Sequence, residues 1–157
     1  MADTTLPDVP IRDAAAADLD DICDLIRDLA EYEQLGHEVE FDRDELDRNL
    51  FGDEPVARVL IAESADGAVA GFALWFSTFS TFLGRPGIWL EDLFVRPEFR
   101  GQGFGLGLLQ HLRTLTEDRI EWNVLDWNEP SIRFYQAIGA EPVAGWTRYR
   151  WLPDRGR

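Results

Sequence analysis

A glycine-rich stretch that leads into a helical pattern constrains this chain more than any other feature. Residues 100–109 have the sequence RGQGFGLGLL, with a glycine at every second position from 101 to 107. Glycine inside a helix costs about 1 kcal/mol relative to alanine, so a helix that begins with several glycines needs another explanation. Two explanations are open: a turn that packs closely against a strand, or a loop whose bare backbone lets a large anion approach the helix N-terminus.

The sequence around the glycines excludes two well-known kinds of phosphate-binding loop. A Walker loop requires the sequence Gly-Lys-Ser/Thr, and the chain contains no lysine. A dinucleotide fingerprint requires G-x-G-x-x-G, and its third glycine would fall on Leu106 or Leu108. The pattern that remains is R-x-x-G-x-G, formed by Arg100, Gly103 and Gly105.

Hydrophobic periodicity, turn residues and helix caps predict the elements around this loop. Asp42 and Asn128 are predicted helix N-caps, and residues 77–87 are predicted to form a loop. The predicted elements are strand 10–12, helix 18–32, helix 42–51, strands 58–63, 68–79 and 88–95, helix 101–117, strand 120–125, helix 130–138 and a last strand or hairpin over 143–151. This order, β-α-α-β-β-β-α-β-α-β, predicts a single mixed α/β domain over residues 1–157, with residues 1–9 as a flexible tail.

The chain is strongly acidic. Thirty acidic residues stand against fifteen basic ones, all of them arginine, which gives a net charge of −15. A field of this sign repels nucleic acid, so we expect no nucleic-acid partner. Two explanations for the charge stay open: a hydrated surface adapted to a salty cytoplasm, or attraction of polycationic substrates.

Apolar content and cysteine usage indicate the compartment. No apolar run approaches the ~20 residues that cross a bilayer, and the first residues do not resemble a secretory signal, so we expect no membrane partner. The one cysteine, Cys23, lies on a predicted apolar helix face and excludes an internal disulfide and a cysteine-based metal site. A cytoplasmic protein without a metal is expected.

Three motifs resemble those of one enzyme superfamily. Residues 89–97 have the sequence WLEDLFVRP, residues 100–105 RGQGFG and residues 127–135 WNEPSIRFY. They resemble the GCN5-related N-acetyltransferase (GNAT) superfamily and are most similar to its spermidine/spermine, or diamine, N-acetyltransferase branch, which LAEYE at 29–33 also resembles. The similarity extends over about residues 11–151. It implies a mixed, mostly antiparallel central sheet flanked by helices, and acetyl-CoA as co-substrate.

The resemblance also implies which residues transfer the acetyl group to an amine. Glu91, within an apolar strand, is implied as the general base, acting directly or through a water. The alternative for Glu91 is a carboxylate that neutralises a partner or binds the ammonium. Tyr135 is implied as the acid that protonates the departing CoA thiolate. Without the motif, Tyr135 is interpreted as an aromatic on the buried helix face beside Phe134.

The same resemblance assigns the binding residues. Acetyl-CoA is expected on backbone amides of the central strand, on the glycine loop and on the following helix: Leu93, Phe94, Val95, Arg100, Gly101, Gln102, Gly103, Phe104, Gly105, Leu106, Asn128 and Ser131. Helix capping by itself also explains Asn128 and Ser131. The amine is expected on carboxylates and aromatic faces: Tyr32, Glu33, Asp92 and Trp146.

The sequence leaves the substrate open. A diamine or polyamine is the leading expectation, and the alternatives are thialysine, an aminoglycoside, a protein N-terminus, or no substrate at all in an acyl-CoA-binding sensor. The loop at 81–87, expected to border the amine pocket, departs from the branch by an extra residue and by Phe82 in place of tryptophan. The branch forms homodimers to which the C-terminal segment contributes, so a homodimer is expected.

Overall fold

The computed structural model describes residues 9–154, and within them five strands and four α-helices form. The elements are β1 (Ile11–Asp13), α1 (Leu19–Tyr32), α2 (Arg43–Phe51), β2 (Arg58–Glu63), β3 (Val69–Ser80), β4 (Arg85–Val95), α3 (Phe104–Thr114), β5 (Ile120–Glu121) and α4 (Glu129–Ala137). The described chain divides into two compact units, one ending at Asn123 and the other beginning at Val124. The predicted tail lies outside the described residues except for Val9, and a single domain over 1–157 stays a prediction.

The strands form one sheet in the order β1-β2-β3-β4-β5. The first three pairings are antiparallel and the last, between β4 and β5, is parallel. The predicted mixed, mostly antiparallel sheet flanked by helices is therefore confirmed. The whole sheet belongs to the first unit.

Helices α1 and α3 pack on opposite faces of the sheet. On one face, Phe72 and Ile61 pack with Leu25 of α1 in the main hydrophobic cluster. Ala62 follows Ile61 on β2 and therefore points to the other face, where its partner Ile11 on β1 lies next to Gly107 of α3. Helix α3 covers this second face with fully buried residues, Leu108 and Leu112. The predicted apolar stripe of α1 is confirmed, including the buried Cys23.

The predicted loop over residues 77–87 is largely wrong. Strands β3 and β4 pair as far as Ser80 and Arg85, and a four-residue turn closes the hairpin. Thr78 lies opposite Gly87, and Phe79 lies opposite Pro86. Serine, threonine, glycine and proline favour loops on their own, yet here the long antiparallel ladder determines the conformation.

Of the two strands predicted near the C-terminus, the first forms but is shorter than predicted, and the last does not form within the described residues. Strand β5 ends at Glu121 rather than at 125, and no described residue after Ala137 belongs to a strand. A strand requires a neighbour for its backbone hydrogen bonds, and the segment 143–151 pairs with none within the described residues. Among the described residues, no helix has both the length and the apolar character that a bilayer span requires.

The predicted helix caps are confirmed. Asp42 accepts a hydrogen bond from the backbone N–H of Glu45 at 2.8 Å, at the start of α2. Asn128 caps α4 in the same way, through the N–H of Ser131. Gly139, predicted to end the last helix, adopts φ +87°, a conformation that glycine tolerates best.

Candidate active site

The central strand β4 carries Glu91 at an irregularity in its pairing. Leu74 and Trp75 are consecutive on β3, but Asp92 and Leu90 lie opposite them, so Glu91 is the extra residue of a β-bulge. Bulges redirect side chains and are frequent beside active sites. The bulge is therefore a structural reason for a carboxylate in so apolar a strand.

The bulge directs three side chains of β4 to one face of the sheet. Trp89 and Asp92 lie opposite Phe76 and Leu74, which share a face because they are two residues apart on β3. The indole Nε1–H of Trp89 donates a hydrogen bond to Glu91 Oε2 at 2.7 Å, which fixes the Glu91 carboxylate on the same side. Leu74 belongs to the cluster under α1, so this is the face that α1 covers.

Three carboxylates come together at this place. Asp92 is half-buried, and burial together with the nearby charges of Glu91 and Glu33 raises the pKa of Asp92 to about 7. Burial also raises the pKa of Glu33, which directly follows α1. Within residues 9–154 none of the three forms an ion pair with arginine or histidine. The arrangement favours a ligand that brings positive charge.

One edge of β4 is open beside these carboxylates. Strand β5 pairs only with Ile88 and Trp89, so the part of β4 from 90 to 95 has no strand neighbour on that side in the described chain. An open edge presents backbone N–H and C=O groups to a ligand. The predicted cofactor residues Leu93, Phe94 and Val95 lie in this part of the strand.

The glycine loop connects β4 to the N-terminus of α3. Gly101 and Gly103 have φ of +75° and +90°, values that L side chains rarely adopt. Gly103 is the N-cap of α3, with no side-chain cap and no acidic residue in the first turn. The first N–H groups of a helix lack intrahelical acceptors, and the helix dipole adds positive potential there. The residues present therefore fit a diphosphate group.

A ring–ring contact and a hydrogen bond stabilise the conformation of the loop. The rings of Phe99 and Phe104 pack edge to face at 6.0 Å, and the side chain of Gln102 donates to the carbonyl of Glu98 at 3.2 Å. Gly107 has a different role: a β-carbon there would lie 2.3 Å from Val9 Cγ2, so this glycine permits close packing. Close packing therefore explains Gly107, and anion binding by the glycines before it stays a prediction.

Arg100 and Tyr32 lie against each other at the start of the glycine loop. The guanidinium carbon of Arg100 is 5.1 Å from the ring centre of Tyr32 and 5.3 Å from that of Phe94. Its Nε–H donates to the carbonyl of Val95 at 2.9 Å. A cofactor residue and an amine residue of the sequence prediction are therefore in direct contact.

The second unit holds the other four site residues. Asn128 is buried and caps α4, and Ser131 supplies the N–H that it accepts. Tyr135 is half-buried on α4, with its ring centre 5.4 Å from that of Phe134. Trp146 is 83% exposed in the segment after α4. The cofactor, acid and amine roles of these residues stay predictions.

Sequence reasoning missed the role of Trp89. Its indole holds the Glu91 carboxylate, and the signal was available, since side chains two apart on a strand share a face. The bulge carries no such signal, because it depends on the register between β3 and β4. Among the described residues, no group of three or more His, Cys, Asp or Glu side chains is arranged to hold a metal ion.

Residues 19–140 match the Acetyltransferase (GNAT) family. The chain belongs to the GNAT family. It is 37% identical over 157 residues to the thialysine N-epsilon-acetyltransferase of Bos taurus, and the match covers 91% of this chain and 92% of that relative. It is 31% identical to the spermidine/spermine N(1)-acetyltransferase-like protein 1 of Homo sapiens, over 96% of this chain and 24% of that longer protein.

A solved structure shares the fold of this chain. An integron cassette protein from the mobile metagenome of V. cholerae superposes with a TM-score of 0.74 at 26% identity, over 93% of each chain. The protein is an N-acetyltransferase of the GNAT type, in the branch that includes the thialysine and spermidine/spermine relatives. GNAT acetyltransferases use acetyl-CoA as co-substrate, and the uncapped N-terminus of α3 after the glycine loop fits the diphosphate of such a ligand.

Proposed function

We propose that this enzyme transfers the acetyl group of acetyl-CoA to a primary amine of a small diamine or polyamine. The observation that carries the proposal is the group of three carboxylates, Glu33, Glu91 and Asp92, which has no arginine or histidine ion-pair partner within residues 9–154. A molecule with two or more ammonium groups supplies the charge that such a site lacks. The sequence prediction assigns Tyr32 and Trp146 as aromatic faces for its methylene chain.

Thialysine is the second candidate substrate. The bovine relative that matches most of both chains is named for it. Thialysine carries one side-chain ammonium and an amino-acid group, so its recognition also needs a partner for a carboxylate. A diamine needs no such partner, and the excess of acid at the site therefore favours the diamine.

The acetyl donor would bind along β4 and the glycine loop. The amides of Leu93, Phe94 and Val95 would hold the thioester carbonyl and the pantetheine arm at the open strand edge. The loop from Arg100 to Leu106 would hold the diphosphate on backbone N–H groups. Asn128 and Ser131 would complete the cofactor site in addition to capping α4.

The chemistry requires that the nitrogen lose two protons and that the sulfur gain one. An alkyl ammonium has a pKa near 10, so the amine must lose a proton before its nitrogen can attack. Glu91 takes this proton, directly or through a water, with its carboxylate oriented by Trp89. The nitrogen bonds to the thioester carbon, the carbon–sulfur bond breaks with its electron pair on sulfur, and Tyr135 donates its phenolic proton to the thiolate. The second proton, which the nitrogen loses as the amide forms, returns to the Tyr135 phenolate through solvent.

A panel of amines tests the substrate class. Purified enzyme with acetyl-CoA is assayed for release of the CoA thiol with diamines, polyamines, thialysine, ornithine, an aminoglycoside and an N-terminal peptide. We expect the highest kcat/KM with a diamine or polyamine. Higher kcat/KM for thialysine would give that substrate instead, and tight acetyl-CoA binding without turnover of any amine would indicate an acyl-CoA sensor.

Two tyrosine variants test whether Tyr135 is the general acid. Tyr135→Phe removes the phenolic proton and is expected to lower kcat about a hundredfold, as general acids contribute this much or more. Its acetyl-CoA affinity should change little. Tyr149→Phe is the matched control, because Tyr149 is 92% exposed and has no proposed part in the reaction or in acetyl-CoA binding. Equal rates in the two variants would remove Tyr135 as the acid.

The pH dependence of Glu91→Gln tests the base. At high pH part of the amine is already neutral, so the need for a base is smaller. The loss of kcat/KM in Glu91→Gln should therefore be largest at low pH. A uniform loss at every pH would support ammonium binding by Glu91 instead.

We also propose a homodimer, with the C-terminal segment in contact with a second copy. Trp146, Tyr149 and Trp151 of this segment are 83%, 92% and 99% exposed. From Thr147 onward the sequence has four arginines and one aspartate, so it complements the acidic remainder of another chain. Sedimentation of the wild type should give a dimer that Trp146→Ala/Trp151→Ala weakens, and a monomeric wild type would refute the proposal.

A further inference from the structure

The side chain of Arg100 contacts three residues of the first unit. It lies against Tyr32 at the end of α1 and against the buried Phe94 of β4, and the two rings are themselves 6.4 Å apart. Its Nε–H donates to the carbonyl of Val95. The residue itself begins the glycine loop. One side chain therefore connects the loop, the central strand and the end of the first helix.

These contacts are of the kind that fixes a position. A guanidinium within about 6 Å of a ring centre is attracted to the ring face, and its planar shape stacks there as an ammonium cannot. The hydrogen bond to Val95 restricts the remaining rotation. Within residues 9–154 no carboxylate lies at ion-pair distance from Arg100. The contacts that the structure shows for its side chain are with two rings and a carbonyl.

We propose that Arg100 is a positioning residue that joins the diphosphate-binding loop to the amine-binding end of α1. Tyr32 and the adjacent Glu33 belong to the amine site of the proposed function, on which this inference rests. With the guanidinium against the Tyr32 ring, the placement of Tyr32 depends on the loop, and the loop depends on Tyr32. Loss of Arg100 therefore weakens amine binding as well as acetyl-CoA binding.

The competing explanation is that the Arg100 guanidinium binds the diphosphate directly. Acetyl-pantetheine separates the two explanations because it is an acetyl donor without a diphosphate. With Arg100→Met we expect the KM for the amine to rise about fivefold with either donor, since an exposed cation–ring contact has about this strength. The kcat should change little.

Two control variants test whether charge alone, or the loss of any cation–ring contact, explains the effect. Arg100→Lys keeps the charge but not the planar stacking, so it should resemble Arg100→Met. Arg27→Met removes a similar contact, 5.2 Å from the ring centre of Phe41, at a place with no proposed role in the reaction, and should leave the amine KM unchanged. An amine KM at the wild-type value in Arg100→Met, with only the KM for acetyl-CoA raised, would overturn the proposal.

A double-mutant cycle supplies a readout that needs no turnover. The Kd for CoA is measured by calorimetry for the wild type, Arg100→Met, Tyr32→Leu and the double variant. We expect the effect of Arg100→Met to be about two- to fivefold smaller when Tyr32 is already leucine. Additive effects would overturn the inference. If the wild type acetylates no amine but the effects on the Kd for CoA are non-additive, only the proposed function is refuted.

Discussion

Asp92 has lost much of its contact with water, and Glu91 and Glu33 place two further carboxylates near it. Both effects disfavour its charged form, burial being the larger, and they raise its pKa to about 7. The residue therefore gains its negative charge as the pH passes through about 7. At the proposed amine site, that charge attracts an ammonium group.

The first expectation at the residue scale concerns amine binding. A primary diamine stays protonated up to about pH 10, so its own charge changes little near neutrality. The KM for the amine should fall between about pH 6 and about pH 8 in the wild type, and Asp92→Asn should remove most of that fall. Asp28→Asn, at an exposed position on α1, is the control for loss of one charge. The same fall of KM in Asp92→Asn would contradict this assignment.

The second expectation concerns stability. Between about pH 4, where an unfolded aspartate titrates, and about pH 7, the folded state holds a proton that the unfolded chain has released. The free energy of unfolding therefore decreases as the pH rises through this window, and the cost is complete above it. Asp92→Asn should raise Tm by a few degrees at about pH 8 and by less at about pH 5. A gain that is larger at the lower pH would show that the sign is wrong.

Among the elements of the fold, two turns contain glycines with the same backbone conformation, and only one of these turns leads into α3. Gly101 in the loop and Gly67 in the β2–β3 turn have φ of +75° and +81°, and no atom would clash with an added β-carbon at either position. Alanine at position 101 is strained by about 1–2 kcal/mol in this conformation. The backbone relieves the strain by changing φ, and the loop then no longer has the conformation that binds the diphosphate. The Kd for CoA should rise about tenfold in Gly101→Ala.

Gly67→Ala is the matched control for this variant. It should lose a similar amount of stability, measured by thermal unfolding, and should bind CoA like the wild type. Equal weakening of CoA binding by both substitutions would mean that strain anywhere in the fold is responsible. In that case the conformation of the loop would have no special role.

The elements that the sequence predicts well are those whose signals are local. Helix α1 has a complete apolar stripe, and Asp42 and Asn128 cap their helices with their own side chains. The β3–β4 hairpin was missed because its last residues have loop-forming types, and only pairing with the opposite strand makes them extended. The absent strand over 143–151 is the converse case, since its apolar residues have no partner strand in the described chain.

The same distinction applies to the site. The glycine loop, the strand with Glu91 and the capped helix with Tyr135 are recognisable from short motifs. The bulge at Glu91 depends on register, and the burial of Asp92 depends on packing between α1 and β4. The stacking of Arg100 on Tyr32 joins positions 68 residues apart and has no signal in either segment.

At the scale of the whole molecule, the net charge of −15 on 157 residues without lysine predicts a response to salt. Salt screens the repulsion among exposed carboxylates, because the Debye screening length falls from about 10 Å at 0.1 M salt to about 3 Å at 1 M. Both Tm and kcat at saturating amine should therefore increase as KCl approaches about 1 M. Activity that is highest in dilute buffer and declines steadily with KCl would contradict this prediction.

Binding of CoA to the purified protein tests the central claim most directly, because the claim is that the glycine loop and α3 hold the diphosphate of an acyl-CoA. Calorimetric titration of well-folded protein should give one site per chain with a Kd in about the micromolar range. Pantetheine, which lacks the diphosphate, should bind far more weakly under the same conditions. No detectable binding of CoA or acetyl-CoA, or equal binding of CoA and pantetheine, would contradict the account.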